Sequence, residues 1–417
     1  MRTRRRLQFV ATATAASLLT LSLGTAAQAA TTAHPFPAHT TYKVGVLPSD
    51  PAATRDSAVE KQYDSWKANY LVHGCASNEY YVSTKGDGDA KNNGPVSEGQ
   101  GYGMNIVPLM AGYDANAQTE FNGLWQLVKD HKDSAGLMAW QLDGKTCKYY
   151  SGTPDSATDG DLDIGYGLIL ADKQWGGYTA DAKAWLASFY AHDVASDGHL
   201  KCEDDSGDTA DTRPSDNMLD HLRAFAAYDT AHDWNKVIAK QEALFTSLTK
   251  SYSASAGLLP DFVVNANTTS PKPSPANYME NQPDNIVGYN SIRVPWHMGT
   301  DALLYGSTTA ATSLGIATKE STCLKTFSKG VPANVWPHMN LNCTGRSTDG
   351  DGNTDTQAEE AGDPVGPAAM AAGDQAWTDA IWTELSKNPF GDGYYGESIK
   401  MLVYIVMAGD YWNPVTA

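Results

Sequence analysis

Basic residues are scarce in this 417-residue sequence, which has 30 lysines and arginines against 48 aspartates and glutamates. The formal net charge is −18. Nucleic acids and anionic membrane surfaces attract basic proteins, so this acidic balance argues against both as partners. A cationic polymer would suit the charge, although solubility alone also explains an acidic composition.

Cysteine is scarce as well. The five cysteines, Cys75, Cys147, Cys202, Cys323 and Cys343, are too few for a disulfide scaffold, and none has the C-x-x-C spacing of a metal site. In an oxidising compartment one or two disulfides are expected, and Cys323 with Cys343 is the preferred pair because it closes a short loop. One cysteine must then remain unpaired.

Several motifs of other enzyme classes are missing. The sequence has no G-x-S-x-G elbow, no H-E-x-x-H pair and no phosphate-binding loop. Beyond the N-terminus it also lacks an apolar run of about 18 residues, the minimum for a membrane-spanning helix. The acidic loop at 349–360 has the spacing of calcium ligands but lacks the glycine expected at its sixth position. A solvated loop is favoured there, and no metal or other cofactor is expected.

The N-terminus has the features of a secretory signal. Residues 2–6 contain four arginines, residues 9–23 are apolar and small, and residues 27–29 fit a small-residue cleavage site. We therefore predict a signal peptide at 1–29 and a secreted, extracellular protein. No low-complexity linker interrupts the remainder, so residues 30–417 are expected to form one domain, and the protein is expected to be a monomer.

Apolar residues recur at helical spacing along the rest of the chain, beginning with Val59, Tyr63, Trp66 and Tyr70. Strand signals are few, and the best one, at 257–265, could pair only locally. The pattern predicts an all-α protein of twelve helices. After the first, these are expected at 101–113, 115–131, 160–174, 178–192, 216–228 (capped by Ser215), 231–249, 289–305, 308–328, 364–373, 375–387 and 394–408.

Three polar stretches could carry chemistry. Residues 97–104, S-E-G-Q-G-Y-G-M, set Glu98 among three glycines, which would let a ligand approach closely; the alternative is a helix start capped by Ser97. Residues 157–164, A-T-D-G-D-L-D-I, place three aspartates at alternate positions, either as a metal loop or as acids that begin a helix. The third stretch, 290–296, holds Arg293 in an apolar run, where a guanidinium needs a carboxylate partner.

The order and spacing of these stretches resemble glycoside hydrolase family 8. The 97–104 segment is similar to the family's general-acid segment, and 157–175 is similar to its signature. The N-x-x-R-x-P sequence at 290–295 and the closing Tyr394-Tyr395 extend the resemblance over nearly all of the chain. The resemblance implies an (α/α)6 barrel of six inner and six outer helices, and inverting, endo-acting hydrolysis of β-1,4-linked polysaccharides.

The resemblance also implies catalytic roles. Glu98 would be the general acid, and Asp159 would bind and distort the sugar in the −1 subsite while favouring protonated Glu98. Asparagine stands at 290, where the cellulase and xylanase branch has its base, and an amide cannot serve as a base. In the chitosanase and lichenase branch the base is a glutamate on the preceding loop, which corresponds here to Glu280.

Other residues are expected to support or contact the substrate. Tyr102 and Arg293 would support the catalytic acids, and Trp140, Trp296 and Tyr395 would contact sugar rings or else belong to the core. The sequence departs from the family pattern at Gly165 and Gly167, where small residues with higher helix propensity are usual, and at Pro108, which should kink the helix after Met104. These departures concern the helices and do not change the proposed chemistry.

A chitosanase is the leading hypothesis, because acidic side chains along a cleft would meet the ammonium groups of chitosan. A β-1,3-1,4-glucanase or a cellulase would use the same catalytic pair. A carbohydrate-binding protein without activity is the alternative from another class, and the presence of both Glu98 and Glu280 argues against it.

Overall fold

The computed structural model describes residues 32–88, 90–207, 209–280, 282–356, 359–387 and 393–416. The predicted signal peptide at 1–29 lies outside these residues. The chain from Thr32 onward forms one compact unit. Within the described residues, none of the helices combines the length and the apolar character that crossing a bilayer requires.

Helices dominate the described residues, as predicted from the periodicity, and they number thirteen if one four-residue helix is counted. They are α1 Ala52–Tyr70, α2 Ser97–Leu109, α3 Ala117–Asp130, α4 Thr158–Trp175, α5 Thr179–His192, α6 Leu219–Tyr228, α7 Trp234–Tyr252, α8 Val294–Thr309, α9 Ala311–Phe327, α10 Glu359–Gly362, α11 Val365–Ala371, α12 Gln375–Leu385 and α13 Tyr394–Ala408.

Six of these helices close into a ring. Helix α2 packs on α4, α4 on α6, α6 on α8, α8 on α11, α11 on α13, and α13 returns to α2. The helices α1, α3, α5, α7, α9 and α12 each pack against one or two of the six from outside. The inner and outer sets alternate along the sequence, which confirms the expected (α/α)6 barrel. The short helix α10 was not predicted.

Burial separates the two sets. Outer helix α3 buries one stripe, with Phe121, Leu124, Trp125 and Val128 at helical spacing. Inner helix α13 is buried along almost its whole length, because it has neighbours on every side. Burial on every face therefore distinguishes inner helix α13 from outer helix α3, which buries a single stripe.

The glycines of the 97–104 segment serve helix packing. A Cβ atom on Gly101 would lie 2.5 Å from the Cβ of Asp163, and one on Gly167 would lie 2.8 Å from the Cβ of Met104. Both glycines therefore allow α2 and α4 to cross in close contact. The expectation that such glycines open space for a ligand does not hold at Gly101, and Gly167 is explained by the same crossing.

Two helix boundaries differ from the predicted ones for local reasons. Helix α2 begins at Ser97 itself, so Ser97 is not the N-cap. The N-cap position falls on Val96, whose side chain cannot cap a helix. Pro108 lies in the last turn, where it ends the helix at Leu109 rather than kinking it. Ser215 lies in a 3-10 turn before α6 and makes no cap.

The β-structure of the described residues is limited to three two-stranded antiparallel pairs. The predicted strand at 257–265 is reduced to Val263–Val264, which pairs locally with Lys272–Pro273. The expectation of only local pairing is wrong, because Val263 also forms a bridge with the distant Thr212. The other two pairs join Leu71–His73 with Tyr80–Val82, and Met339–Asn340 with Thr344–Gly345.

The preferred disulfide is confirmed. Cys323 is bonded to Cys343, and a second disulfide joins Cys75 to Cys147. Cys202 is free and buried. The second pair links loops that are 72 residues apart in sequence, so its spacing gave no signal that it would form.

Candidate active site

A cavity of about 730 Å³ opens where three inner helices begin. Glu98 lies in the first turn of α2, Asp159 in the first turn of α4, and Tyr394 and Tyr395 begin α13. Loop residues complete the wall. Among the residues that line the cavity are Asp87, Trp140, Arg213, Glu280, Tyr289, Asn290 and Glu360.

Glu98 is held at both carboxylate oxygens. Arg293 Nη1 donates to Oε2 at 2.6 Å, and the hydroxyl of Tyr394 donates to Oε1 at 2.8 Å. The side chain keeps 15% of its surface exposed, on the cavity side. The carboxyl group is therefore both fixed in position and accessible to a ligand.

Arg293 connects the carboxylates at the base of the cavity. Its guanidinium is 1% exposed and donates to Glu98, to Asp159 Oδ2 at 3.0 Å and to Ser215 Oγ at 3.1 Å. Burial opposes its charge, but the nearby tyrosines and carboxylates raise the pKa of Arg293 well above its usual range. The prediction that this buried guanidinium has carboxylate partners is confirmed.

Asp159 is an ionised carboxylate on the cavity wall. It lies 3.4 Å from Arg213 Nη2, accepts from Arg293, and accepts the N–H of Gly160 at 2.8 Å. Burial works against ionisation, but the charges of Arg213 and Arg293 outweigh it and lower the pKa of Asp159 to about 2. A fixed negative charge therefore lies beside Glu98 at neutral pH.

Glu280 and Asn290 form a second polar pair. Asn290 Nδ2 donates to both carboxylate oxygens of Glu280, each at 3.1 Å, while its Oδ1 accepts from Arg213 Nη1 at 3.2 Å. Arg213 thus touches both Asp159 and Asn290. The two carboxylate groups, Glu98 and Glu280, line the same cavity and are linked through the arginines.

Buried carboxylates fix the loop that carries this pair. Asp284 Oδ2 accepts three consecutive backbone N–H groups, those of Tyr278 at 2.6 Å, Met279 at 2.9 Å and Glu280 at 3.2 Å. On the other side of the loop, Asp261 Oδ1 accepts the N–H groups of Gly288 and Ser291. These contacts hold the backbone beneath Glu280 and Asn290.

The remaining predicted contacts divide between the wall and the core. Trp140 and Tyr395 line the cavity. Tyr102 is fully buried and lies behind Arg293, whose Nη1 is 3.4 Å from its hydroxyl. Trp296 is 4% exposed and packs against Tyr102 and His297. Neither Tyr102 nor Trp296 is placed to contact a sugar. Trp296 belongs to the core, which was the alternative stated for it.

The sequence analysis missed Arg213, and it used Tyr394 only as part of a closing motif. Arg213 lies in a long polar loop, and nothing in its neighbours marks it as a partner of Asp159. Tyr289 also lines the cavity, and its hydroxyl donates to Asp355 at 3.0 Å. Their roles depend on which loops fold over the barrel, so no local pattern could have found them.

The three aspartates of the 157–164 segment contact different partners. Asp159 faces the cavity, whereas Asp163 accepts from Asn105 Nδ2 and pairs with His221 at 3.0 Å. Asp161 is buried beside Asp193. The three do not converge on one ion, and the first two lie in the opening turn of α4, as the alternative reading expected. In the loop at 349–360, Asp349 accepts two hydrogen bonds from Asn353, which close a turn.

Asp161 and Asp193 form a buried acid pair. Within the described ranges, neither carboxylate is reached by a hydrogen-bond donor of ordinary geometry. Burial, then the charge of Asp193, raises the pKa of Asp161 well above its usual range. Burial, then the charge of Asp204, raises the pKa of Asp193 against the opposing charge of Lys201. The folded chain therefore keeps protons here that the unfolded chain releases.

The acid pair predicts a pH-dependent stability. Stability from a raised carboxyl pKa is complete below the ordinary value near 4 and is lost as the pH rises through the raised value. We expect the unfolding free energy of Asp193→Asn, whose amide matches the protonated acid in shape, to rise relative to that of the wild type by up to about 1.4 kcal/mol per pH unit as the pH increases above about 4. Denaturant unfolding of both proteins measures this. A difference in unfolding free energy that does not change with pH would contradict the assignment.

Two fixed carboxyl groups facing one cavity at the open end of an (α/α)6 barrel are the arrangement of a carboxyl-based glycosidase. Comparison with known proteins agrees. The family model described as "Glycosyl hydrolases family 8" matches residues 35–409, so the chain belongs to this family of inverting glycosidases. The enzyme class predicted from the sequence is confirmed.

Three of the similar proteins, at 33–39% identity, are glucanases by name. The chain is 39% identical over 393 residues to a "Beta-glucanase" of Niallia circulans, covering 91% of each chain. It is 33% identical to an "Endoglucanase" of Bacillus sp. (strain KSM-330), covering 91% of this chain and 82% of that one. A solved apo structure of a β-1,3-1,4-glucanase from Paenibacillus sp. X4 superposes with a TM-score of 0.83 at 38% identity, covering 91% and 99% of the two chains.

A cold-adapted family 8 xylanase in complex with substrate also superposes, with a TM-score of 0.72 at 17% identity, over 90% of this chain and 98% of the xylanase. At that identity the likeness shows the fold alone.

The family match and the endoglucanase relative together identify the chain as an endo-acting glycosidase of family 8.

Proposed function

We propose that this protein hydrolyses mixed-linkage β-1,3-1,4-glucan, with Glu98 as general acid and Glu280 as general base. The observation that carries the catalytic assignment is that both carboxyl groups line one cavity and each is held by partners on both of its oxygens. Inverting glycosidases need two such groups, about 6.5–9.5 Å apart, so that a water molecule fits between the base and the sugar.

The proposed acid shares Arg293 with a fixed negative charge, that of Asp159. Two arginines contact the carboxyl groups at the centre of the cavity: Arg293 contacts Glu98 and Asp159, and Arg213 contacts Asp159. Asp159 keeps its charge because its pKa is lowered to about 2. Arg293 divides its charge between Asp159 and Glu98, so it cannot fully compensate both. Protonated Glu98 then donates to the leaving glycosidic oxygen.

Glu280 is suited to deprotonate water. Each carboxylate oxygen has two lone pairs, and Asn290 uses one on each, which leaves others free to accept a proton. The three N–H groups bound by Asp284 fix the backbone at Glu280. A base held this way lies in one position relative to the attacking water, which is the main requirement for an effective base.

The proposed hydrolysis is a single displacement at the anomeric carbon. The oxygen of water bonds to the anomeric carbon as its proton moves to Glu280, and the glycosidic carbon–oxygen bond breaks as its oxygen takes the proton of Glu98. The product has the opposite anomeric configuration. Positive charge develops on the sugar in the transition state, and the fixed negative charge of Asp159 stabilises it. Trp140 and Tyr395 are the proposed surfaces for sugar contact.

A neutral polymer fits the cavity better than the charge of the whole chain suggests. The acidic groups at its centre are committed to partners within the protein: Asp159 to two arginines, Glu98 to Arg293 and Tyr394, and Glu280 to Asn290. They are not spare charges for ammonium groups, as the chitosanase hypothesis required. The names of the relatives at 38–39% identity point to glucan as well.

Chitosan is the second candidate substrate, and the acidic lining of the cavity is the observation that favours it. Five acidic residues line the cavity, among them Asp87 and Glu360 towards its edge, and Arg213 is the basic residue among the lining groups. An acidic edge would attract a cationic polymer even where the charges at the centre of the cavity are neutralised.

We also propose that residues 1–29 export the enzyme, since polymers of this size are met outside the cell.

The substrate proposal predicts a preference that a side-by-side assay measures. Reducing-sugar release from mixed-linkage β-glucan should exceed release from chitosan by about tenfold or more, within the range that one set of pocket contacts provides. Carboxymethyl cellulose serves as the β-1,4-only control. Faster release from chitosan would overturn the substrate proposal. Loss of both activities in Glu280→Gln would show that one site is responsible.

A further inference from the structure

Three side chains that could bind a metal meet far from the cavity. His39 comes from the N-terminal segment, Asp56 from α1, and Asp410 from the residues that follow α13. One potential ligand atom from each lies within 4.8 Å of the other two. The cavity is at the first residue of α13 and this cluster is beyond its last residue, so the length of that helix, about 20 Å, separates them.

The contacts within the cluster leave one buried atom without a partner. His39 Nε2 is 3.1 Å from both carboxylate oxygens of Asp56, and Asp410 Oδ1 accepts the backbone N–H of His39 at 3.0 Å. Asp410 is fully buried, yet its Oδ2 has no hydrogen-bond donor in the described part of the chain. A simple ion pair between His39 and Asp56 explains the first contact but leaves Asp410 Oδ2 unexplained. Leaving such an oxygen unpaired is costly.

We propose that His39, Asp56 and Asp410 bind a divalent cation of the zinc class. Imidazole with two carboxylates is a ligand set that suits zinc and neighbouring transition metals, whereas calcium and magnesium prefer oxygen ligands alone. Three protein ligands leave a coordination position for water. The His39 side chain is 51% exposed and lines a cavity of about 500 Å³, which gives the ion a route to the site.

The nearest arginine does not compete with a cation. Arg55, on the same cavity wall, donates its guanidinium to the backbone carbonyls of Ala408 and Pro48. Its charge is therefore spread over acceptors outside the cluster. A bound ion would tie the N-terminal segment to α1 and to the end of α13, and so would stabilise the folded chain without entering the reaction.

Thermal unfolding with and without zinc tests the proposal on the whole protein. After treatment with a chelator, ZnCl2 at about 100 times the dissociation constant should raise the Tm by about 3 °C, the shift expected for one site on a chain of this length. Calorimetric titration should give one zinc per chain. Co²⁺ should give visible absorption bands, whose intensity reports the coordination geometry of the bound ion.

The variants His39→Asn and Asp410→Asn should lose the zinc-dependent shift. Asparagine tolerates the positive φ of 46° at position 39, and at 410 it keeps an oxygen to accept the His39 N–H. Both should retain wild-type β-glucan hydrolysis in chelator, which shows that they fold. His192→Asn, at an exposed histidine outside the cluster, is the matched control and should keep the full shift.

Two results would overturn the metal site. One is wild-type protein whose Tm and calorimetric trace do not respond to zinc. The other is a zinc-dependent shift that persists undiminished in both His39→Asn and Asp410→Asn, which would place the ion elsewhere, for instance on the carboxylates of the cavity. Neither result bears on the glucanase proposal, because activity is measured separately in chelator.

Discussion

Glu98→Gln is expected to lower kcat on polymeric β-glucan by about 10²–10⁴-fold, the usual contribution of a general acid. The amide keeps the size of the side chain and still accepts from Arg293 or Tyr394, so folding and KM should change little. What it loses is the proton for the leaving sugar oxygen. Initial rates of reducing-sugar release over a range of substrate concentrations separate kcat from KM.

The leaving group distinguishes an acid from a merely structural residue. An aryl oligoglucoside whose phenol leaves without protonation needs no general acid, so Glu98→Gln should cleave it at a rate close to that of the wild type. Glu320→Gln is the control, since Glu320 is a buried glutamate on outer helix α9, outside the cavity, and should keep full activity. Equal losses on the polymer and on the aryl substrate would remove Glu98 from the acid role.

Sequence reasoning succeeded where a feature is local. The helices follow from apolar periodicity, whereas their inner and outer arrangement was implied by the family resemblance. Glu98 and Asp159 each lie in a short segment with a recognisable composition. The same reasoning misjudged the glycines. Gly101 looked like room for a ligand, yet it faces Asp163 on the neighbouring helix. A glycine-rich stretch does not say which partner approaches it, because that depends on how two helices cross.

The rest of the site depends on contacts between distant parts of the chain. Arg213 acquires its role only because its loop brings it to Asp159 and Asn290. Tyr394 reaches Glu98 across 296 residues of sequence. Trp296 looked as suitable for sugar contact as Trp140, and only the packing places one in the core and the other on the wall. Composition and spacing carry no information about these pairings.

Glu280 could be singled out only through the family resemblance, because no local pattern marks a glutamate on a long loop as a base. Glu280→Gln should lower kcat by about 10²–10⁴-fold, because glutamine cannot take the proton of the attacking water. Asn290→Ala should cost less, since it removes a positioning contact and leaves the carboxylate in place. Initial rates on β-glucan rank the two variants.

Azide separates the base from the acid. The azide anion attacks the anomeric carbon without losing a proton, so it bypasses a missing base and should restore turnover of Glu280→Gln, with a glycosyl azide of inverted configuration as the product. It should not restore Glu98→Gln on the polymer, where the leaving oxygen still lacks its proton. An inactive Asn290→Ala beside a normally active Glu280→Gln would transfer the role of the base away from Glu280. In that case the amide at 290 would have to act through another carboxylate, and Asp159, which shares Arg213 with Asn290 and lines the cavity, would be the first candidate.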